Sequence, residues 1–290
     1  MNVLVYPEIR PTPARLVSAL RQLSPAPMVL PRLQKLLRDP NSGLFDVVEL
    51  VKLDGALTAR VIHMSNSAMF GRGGVCSTLD EAVNRVGFNE VHRLVATAAA
   101  SAVVVQSLSA YGLDDKDMWR ESISCAFAAE LLARRVGEDP AEAYTIGLLH
   151  AIGRVAVNNH ALASVGAPKL ASTGFPDESS AVEYSWLGFT QADAGACMLK
   201  NWEFGITAVE VLRAQYIPLQ APEPLLKMSA VIHCARMLRT IVCETREEAP
   251  PVRMAEGITQ MAGLEEAEMI ELIPELRESL LRARQLTSSR

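Results

Sequence analysis

The sequence predicts an all-α protein. Apolar residues recur at steps of three and four along most of the 290 residues, and runs of alternating polarity are almost absent, which is the pattern of amphipathic helices. Ala, Leu, Glu, Arg and Met dominate the periodic segments, and all five favour helices. Hydrophobic residues make up 49% of the chain, enough for a sizeable buried core. We therefore expect helices packed on helices.

Breaks in this periodicity give the limits of the first helices. Residues 1–24 are predicted to form a tail plus one short amphipathic helix, Pro13 to Leu23, because the Ser-Pro-Ala-Pro segment at 24–27 interrupts a helix. Asp39 to Gly43 ends the next helix, and Asp54-Gly55 separates the pair that follows. The early helices are therefore expected to be short.

A capping signal and a change of pattern organise the next part of the chain. Thr78 and Glu81 have the spacing of a capping box, in which each side chain bonds a free amide at a helix start. A long Ala-rich helix is expected over roughly residues 89–107. The break and polar stretch that follow predict a boundary between an N-terminal helical subdomain, 25–112, and a larger helical subdomain, 113–290.

The larger subdomain begins with a regular apolar stripe. Trp119, Ile123, Phe127 and Leu131 follow one another at four-residue steps, which predicts a helix with one inward face. Such a stripe is most often simply part of the core. Loops are then predicted at 168–176, 218–224 and 244–251, with two helices after the last of them.

Composition argues against several classes of protein. Charged residues make up 21% with a net charge of −5, so an overall field that attracts nucleic acid is not expected. The five cysteines form no CxxC pair, which favours reduced thiols and a cytoplasmic protein. The longest apolar run, Leu94 to Val105, is shorter than the ~20 residues that cross a bilayer, and the N-terminus does not resemble a secretory signal. With no P-loop, dinucleotide fingerprint or G-x-S-x-G motif, neither a cofactor nor covalent catalysis is expected.

The most informative stretch is Gly147 to Gly153. It resembles the signature of the HD phosphohydrolases, in which an adjacent His-Asp pair binds a metal ion that activates water, but here His150 is followed by Ala151. The remaining histidines are His63, His92, His160 and His233. None of the five lies at the HxH, HxxxH or HxxE spacing that places two ligands on one helix face. We expect His150 to be a buried, hydrogen-bonded core residue, with a polar contact in a remnant pocket as the alternative.

Further blocks resemble the HDOD family, an HD-related output domain of bacterial signalling proteins. These blocks are Leu30-Pro31, Leu53 to Val61, Asn66 to Gly71, Ala82 to Gly87, Trp119 with Ser122 and Ala126, and Gly147 to Gly153. Gly55, in the second block, stands where the family usually has Pro. The resemblance covers roughly residues 26–217 in an ordered series. It implies an N-terminal helical bundle packed on an HD-like helical domain, and a role in signal transduction.

The resemblance also allows the metal-ligand positions to be compared one by one. Glu121 stands where active HD enzymes have a metal-binding His, Gln191 where a second His is found, and Gln215-Tyr216 where a His pair often occurs. Of the expected ligands only His150 is kept, which implies a degenerate metal site, and we assign no residue as a metal ligand. Glu121 and Asp193 could still bind a cation. The alternatives are a solvated Glu121 near its helix start and an Asp193 on an exposed face. The candidate remnant pocket is therefore His150, Glu121, Gln191 and Asp193.

Polar residues of the N-terminal subdomain form a second candidate surface. Asn66 and Ser67 could touch a ligand or partner, or could only tie down a helix end. The arginines that could converge on an anion are Arg60, Arg72, Arg85 and Arg93. Dispersed surface arginines are the structural alternative.

Three functional hypotheses follow. The first, which we favour, is a non-enzymatic regulatory domain that contacts a signalling protein partner, or senses a small ligand, and transmits the signal through altered packing between its two halves. The second is a divergent metal-dependent HD-type phosphohydrolase that uses His150 with Glu121 or Asp193. The third is a sensor that binds a nucleotide-type ligand without cleaving it.

Overall fold

The computed structural model describes residues 11–20, 29–67, 70, 74–170, 177–243 and 256–284. In these ranges there is no β-strand, only an isolated bridge between Leu108 and Leu113, so the predicted all-α fold is confirmed. The helices are α1 (Pro13–Ser18), α2 (Val29–Arg38), α3 (Leu44–Lys52), α4 (Gly55–Ser65), α5 (Leu79–Val86), α6 (Phe88–Val104), α7 (Asp115–Val136), α8 (Pro140–Leu149), α9 (Gly153–Ala163), α10 (Asp177–Leu187), α11 (Gln191–Asn201), α12 (Ile206–Arg213), α13 (Leu226–Cys243), α14 (Glu256–Ala262), α15 (Glu266–Glu271) and α16 (Ile273–Arg284).

Side-chain caps define the starts of α4 and α5 in the N-terminal bundle, which comprises α2 to α6. Thr78 Oγ1 accepts from the Glu81 amide and the Glu81 carboxylate accepts from the Thr78 amide, both at 3.2 Å, which confirms the predicted capping box of α5. Asp54 caps α4 by accepting from the Leu57 amide at 2.9 Å. The Ala-rich helix α6 ends at Val104, three residues before the predicted limit.

The HD-like half, α7 to α13, is organised around the long helix α7. Asp114 caps its start, and Gly137, at a φ of 74° that favours glycine, ends it. Helices α8 and α13 pack along α7, so its central turns are buried on most sides. Of the predicted apolar stripe, Trp119, Ile123 and Phe127 are buried and Leu131 is half-buried.

The two halves meet mainly where α6 packs on α7 and α8. His92 and Thr145 share a buried hydrogen bond of 3.0 Å, and Thr97 and Tyr144 share one of 2.6 Å. The Arg93 guanidinium donates to both carboxylate oxygens of Glu130, at 2.8 Å for the shortest contacts. The contact between the halves therefore combines apolar packing with several directional polar bonds.

A glycine brings the starts of two helices together in the HD-like half. A Cβ atom on Gly153, the first residue of α9, would lie 1.9 Å from the carbonyl oxygen of Gln191, the first residue of α11. Any other side chain would therefore push these helices apart. This contact sets α9 and α11 side by side directly after His150.

Both ends of the chain differ in detail from the predicted elements. Helix α1 ends at Ser18 rather than Leu23, and residues 21–23 lie outside the described residues, as does the predicted connection at 244–251. The described C-terminal part has three short helices instead of the two predicted. Pro274, the second residue of α16, lacks the amide that a helix continuing from α15 would need, so the two remain separate. No helix in the described ranges is long and apolar enough to cross a membrane.

Candidate functional site

His150 lies directly after the last residue of α8, and only 2% of it is exposed. Its Nδ1 donates to the Gly147 carbonyl at 2.7 Å, which places the ring proton on Nδ1. Burial, and after it three nearby arginines, hold the pKa of His150 well below its usual value, so the ring is neutral. Among the atoms that the structure describes, its Nε2 is buried without a hydrogen-bond partner. His150 therefore presents an unused lone pair to the interior.

Glu121, on α7, is paired with two arginines. Arg154 from α9 donates to its carboxylate at 2.8 Å, and Arg239 from α13 donates to the same oxygen at 2.5 Å. Burial alone would raise the pKa of Glu121, but the charges of Arg239 and Arg154 outweigh it and lower this pKa to about 2. The carboxylate is thus ionised, and its negative charge is balanced by the two arginines. From the sequence, Glu121 was expected either to bind a cation or to be solvated, and neither alternative includes these arginines.

The two arginines are almost fully buried, with 6% of Arg154 and 5% of Arg239 exposed. The Arg154 guanidinium also lies 5.4 Å from the centre of the Tyr111 ring, a cation–π contact. Their Nε atoms have no hydrogen-bond partner among the described groups. Buried guanidiniums are costly unless paired, so Glu121 is the group that makes this arrangement stable.

Two glutamines hold the end of α8 at this point. The side-chain amides of Gln191 and Gln215 both donate to the His150 carbonyl, at 3.2 and 2.9 Å. That carbonyl lies at the C-terminal end of a helix, where carbonyls lack partners within the helix. Gln191 also donates to the Tyr216 hydroxyl at 3.0 Å, and the Tyr216 ring lies under the Arg236 guanidinium at 4.2 Å. The glutamines thus satisfy a backbone group at positions where the resemblance places histidines.

Asp193 does not share these contacts. It is the third residue of α11, and its carboxylate accepts from the Thr190 amide at 2.9 Å and from the Thr190 hydroxyl at 3.2 Å. This is a capping box at the start of α11. Of the candidate remnant pocket, the structure therefore brings together His150, Glu121 and Gln191, while Asp193 caps a helix.

Asn66 and Ser67 both make hydrogen bonds within the N-terminal bundle. The Asn66 side chain accepts from the Cys76 amide at 2.7 Å and donates to the Cys76 carbonyl at 2.9 Å. The Ser67 hydroxyl donates to the Met64 carbonyl at 2.6 Å. The Asn66 bonds join the end of α4 to the segment that leads into α5, and the Ser67 bond lies within the end of α4. Both side chains thus tie down a helix end.

The candidate arginines of the bundle have separate surroundings. Arg60 Nε donates to the Ala98 carbonyl at 3.1 Å, while Arg85 donates to the Asn66 side chain at 3.2 Å. Arg93 is bound to Glu130 at the contact between the halves. Arg72 lies outside the described residues. Among the candidate contacts that the structure describes, Arg85 and Asn66 touch each other through their side chains.

A model of one protein family, described as the HDOD domain, matches residues 23–218, which is more than half of the chain. The chain belongs to the HDOD family. A curated relative, an uncharacterised protein of Treponema pallidum (strain Nichols), is 24% identical over 263 residues, which cover 86% of this chain and 48% of the relative. The chain thus spans about half the length of that relative.

Two solved structures are similar to this HDOD chain. One, a candidate phosphohydrolase of Shewanella amazonensis SB2B, is 24% identical with a TM-score of 0.66, and the match covers 96% of this chain and 98% of the other. The second, a candidate signal transduction protein of Marinobacter aquaeolei VT8, is 22% identical with a TM-score of 0.71, covering 93% of this chain and 60% of the other. At these identities the similarity shows a shared fold.

The residues at the HD position of this HDOD chain do not fit a metal centre of the HD type. The Glu121 carboxylate beside His150 is bound to two guanidiniums, and Ala151 replaces the expected Asp. In the part of the chain that the structure describes, no group of three or more His, Cys, Asp and Glu side chains could hold a metal ion. The positive charge that a metal ion would bring is supplied by Arg154 and Arg239.

Arg154 and Arg239 could not be predicted as partners of Glu121 from the sequence, because the comparison of metal-ligand positions considers only the residues that bind metal in HD enzymes. Arg239 lies beyond the range matched by the HDOD model. A signal for it exists in the sequence: Arg236 and Arg239 are spaced by three within α13, a helix where most side chains are buried. Arginines on the inward face of a helix need an anionic partner, and Glu121 is that partner for Arg239.

Proposed function

We propose that this chain is a non-enzymatic HDOD regulatory domain, which contacts a signalling protein partner or senses a small ligand and passes the signal on through altered packing between its halves. The observation that carries the proposal is the pairing of Glu121 with Arg154 and Arg239 beside His150. This pairing supports a site in which two arginine charges take the place of a metal ion.

Electrostatics argue against a divalent cation at this place. A divalent cation at about 4 Å from one guanidinium is repelled by about 8 kcal/mol for an effective dielectric constant of 20. Arginine does not lose its proton in proteins, so this repulsion persists at every accessible pH. The carboxylate that would attract the cation is already neutralised by Arg154 and Arg239.

The acid–base chemistry needed for hydrolysis is also poorly supplied. A general base works best with a pKa near the operating pH, but the pKa of His150 is held well below that range. Glu121 is also a weak base, since its pKa is about 2. These two groups therefore favour a structural role over activation of water.

The contact between the halves supports the transmission of a signal. The bonds of His92 with Thr145 and of Arg93 with Glu130 are directional and require one register of α6 on α7 and α8. Interfaces with such polar contacts permit relative motion of the joined parts more readily than large apolar ones. A partner that binds both halves would change this register.

The proposal is tested by assaying purified protein against phosphomonoesters, nucleotides and cyclic dinucleotides with added manganese, iron or magnesium. We expect no turnover above that of the His150→Ala variant. Metal-dependent turnover that His150→Ala abolishes would contradict the proposal and favour the phosphohydrolase hypothesis. Calorimetric titration with the same nucleotides separates the two regulatory forms, because binding without cleavage identifies a sensed ligand.

A further inference from the structure

The remnant site, the buried group around His150, contains five side-chain atoms without a hydrogen-bond partner among the groups that the structure describes. They are His150 Nε2, Gln191 Oε1, Gln215 Oε1, Arg154 Nε and Arg239 Nε. Each of these residues is at most 6% exposed. An unpaired polar atom in a protein interior is costly, and native structures keep few of them. Five around one buried side chain therefore indicate that the site receives a polar ligand.

Three of the five atoms are hydrogen-bond acceptors. The side-chain amide nitrogens of Gln191 and Gln215 both donate to the His150 carbonyl, at 3.2 and 2.9 Å, so the two amides meet at one point and their oxygens are the unused ends. His150 Nδ1 donates to the Gly147 carbonyl, which leaves Nε2 as an acceptor. A ligand for this side of the site must therefore carry a proton that it can donate.

The other two atoms are donors on charged groups. Arg154 and Arg239 each bind the same Glu121 oxygen through one terminal nitrogen, which brings the two guanidiniums together and leaves each Nε without a partner. Both arginines act electrostatically on the His150 ring, so they lie beside it. Hydrogen bonds from a guanidinium are strongest to an anionic oxygen. A ligand for this side of the site must therefore carry negatively charged oxygens.

The charges of the site also favour an anion. Glu121 carries one negative charge and binds two guanidiniums. Glu183 acts on Arg154 as well, but its carboxylate already accepts from the Gln191 backbone amide at 2.6 Å. The charge of Arg236 opposes that of Glu183. Ordered water would meet the donors and acceptors without adding negative charge, whereas an oxyanion that carries a proton provides all three.

We infer that the remnant site binds a small protonated oxyanion, for which inorganic phosphate is the simplest match. Its charged oxygens accept from Arg154 and Arg239, and its P–OH group, which it keeps at neutral pH, donates to His150 Nε2. The burial of these side chains favours the free ion over a phosphate group attached to a nucleotide. The inference rests on the proposed function, because it names the small ligand that the regulatory domain senses.

Sulfate separates this chemistry from a general attraction of anions. It has the tetrahedral shape and the negative charge of phosphate, but it carries no proton at neutral pH. Its oxygens would face the lone pairs of His150 Nε2 and of the two glutamine oxygens, which would stay unpaired. A buried acceptor left unpaired by the wrong ligand lowers affinity about tenfold or more.

The test is calorimetric titration of the full chain at pH 7, in the presence of a metal chelator, with inorganic phosphate, sulfate and adenosine monophosphate. We expect wild type to bind phosphate at least about tenfold more tightly than sulfate. His150→Ala removes one acceptor, so this preference should fall below about threefold. The matched control is His63→Ala, because His63 is exposed in the N-terminal bundle, and it should keep the preference of the wild type.

No saturable binding of phosphate, or equal affinities for phosphate and sulfate, would overturn the inference. Tighter binding of adenosine monophosphate than of phosphate would also overturn it, because the site would then belong to a nucleotide. So would an undiminished preference in a His150→Ala variant that circular dichroism shows to be folded. If that variant does not fold, the preference of the wild type decides alone.

A repeat of the titration with manganese in place of the chelator separates the inference from the proposed function. Phosphate binding that requires the metal ion would contradict both, because the site would then be a metal centre. The absence of phosphate binding under either condition would overturn the inference and leave the proposed regulatory role standing.

Discussion

Replacing Glu121 with Gln removes the carboxylate that forms ion pairs with both Arg154 and Arg239, while nearly preserving the side-chain shape. Removal of one partner from a buried ion pair costs about 3–5 kcal/mol, because the remaining charge is left uncompensated. The pKa of Glu121 gives a second route to the magnitude. A pKa of about 2 in the fold, against an ordinary value of 4.5, corresponds to roughly 3 kcal/mol of unfolding free energy at neutral pH.

The same pKa predicts how this contribution depends on pH. Because the pKa of Glu121 is lower in the folded than in the unfolded state, its stabilisation is fully present above about pH 4.5 and is lost as the pH falls towards 2. At pH 3 the unfolded chain has bound the proton and the folded chain has not, so about 2 kcal/mol of the contribution is lost. The difference between wild type and Glu121→Gln should shrink by that amount.

Urea unfolding followed by circular dichroism at pH 7 and pH 3 measures both quantities. The matched control is Glu210→Gln, since Glu210 pairs within one helix with Arg213, whose side chain is 44% exposed against 7% for Arg154 and 6% for Arg239, and it should change stability by less than about 1 kcal/mol. A Glu121→Gln variant as stable as wild type at pH 7 would refute the reasoning. A loss of the same size at both pH values would show that the effect is steric rather than electrostatic.

Two further predictions concern buried histidines and a close helix contact. Burial lowers the pKa of His92 to about 4 and that of His150 well below its usual value, so both stay neutral in the fold but take up protons on unfolding. The stabilisation from these neutral histidines should therefore be fully present above about pH 6.5 and be lost as the pH drops towards 4. Over this range the urea midpoints of His92→Gln and His150→Gln should fall less steeply with pH than that of wild type. The same dependence of the midpoint on pH in both variants and wild type would contradict this. Gly153→Ala should lower the unfolding free energy by about 3 kcal/mol, because its Cβ would strike the Gln191 carbonyl, whereas Gly55→Ala, with open space, should change it by less than about 1 kcal/mol. Equal urea midpoints for the two glycine variants would contradict the close contact of α9 with α11.

Local signals in the sequence were sufficient for much of the fold. The helical periodicity predicts the all-α class, and the Thr78 to Glu81 spacing predicts the start of α5, because caps depend on residues only three apart. The C-terminal helices were predicted less well. Pro274 gives a local reason for the extra break, because a proline is favourable in the first turn of a helix and unfavourable in its interior.

The remnant site could be predicted only in part. The loss of its ligands is visible at Ala151 and Gln191, whereas the replacement charges come from α9 and α13. Arg239 lies 118 residues from Glu121, and no local pattern relates two positions so far apart. The role of Gln191 was missed for a similar reason, since its partner is a backbone carbonyl 41 residues away rather than a ligand.

The most direct test of a site closed by Arg154 and Arg239 is elemental analysis of natively purified protein by plasma mass spectrometry. It needs no assumed substrate, and it addresses the charge arrangement around Glu121 itself. We expect less than about 0.1 equivalents of iron, manganese or zinc per chain, because Arg154 and Arg239 already balance the charge of the Glu121 carboxylate that would bind the metal ion. About one equivalent of metal per chain, lost in the His150→Ala variant, would contradict it.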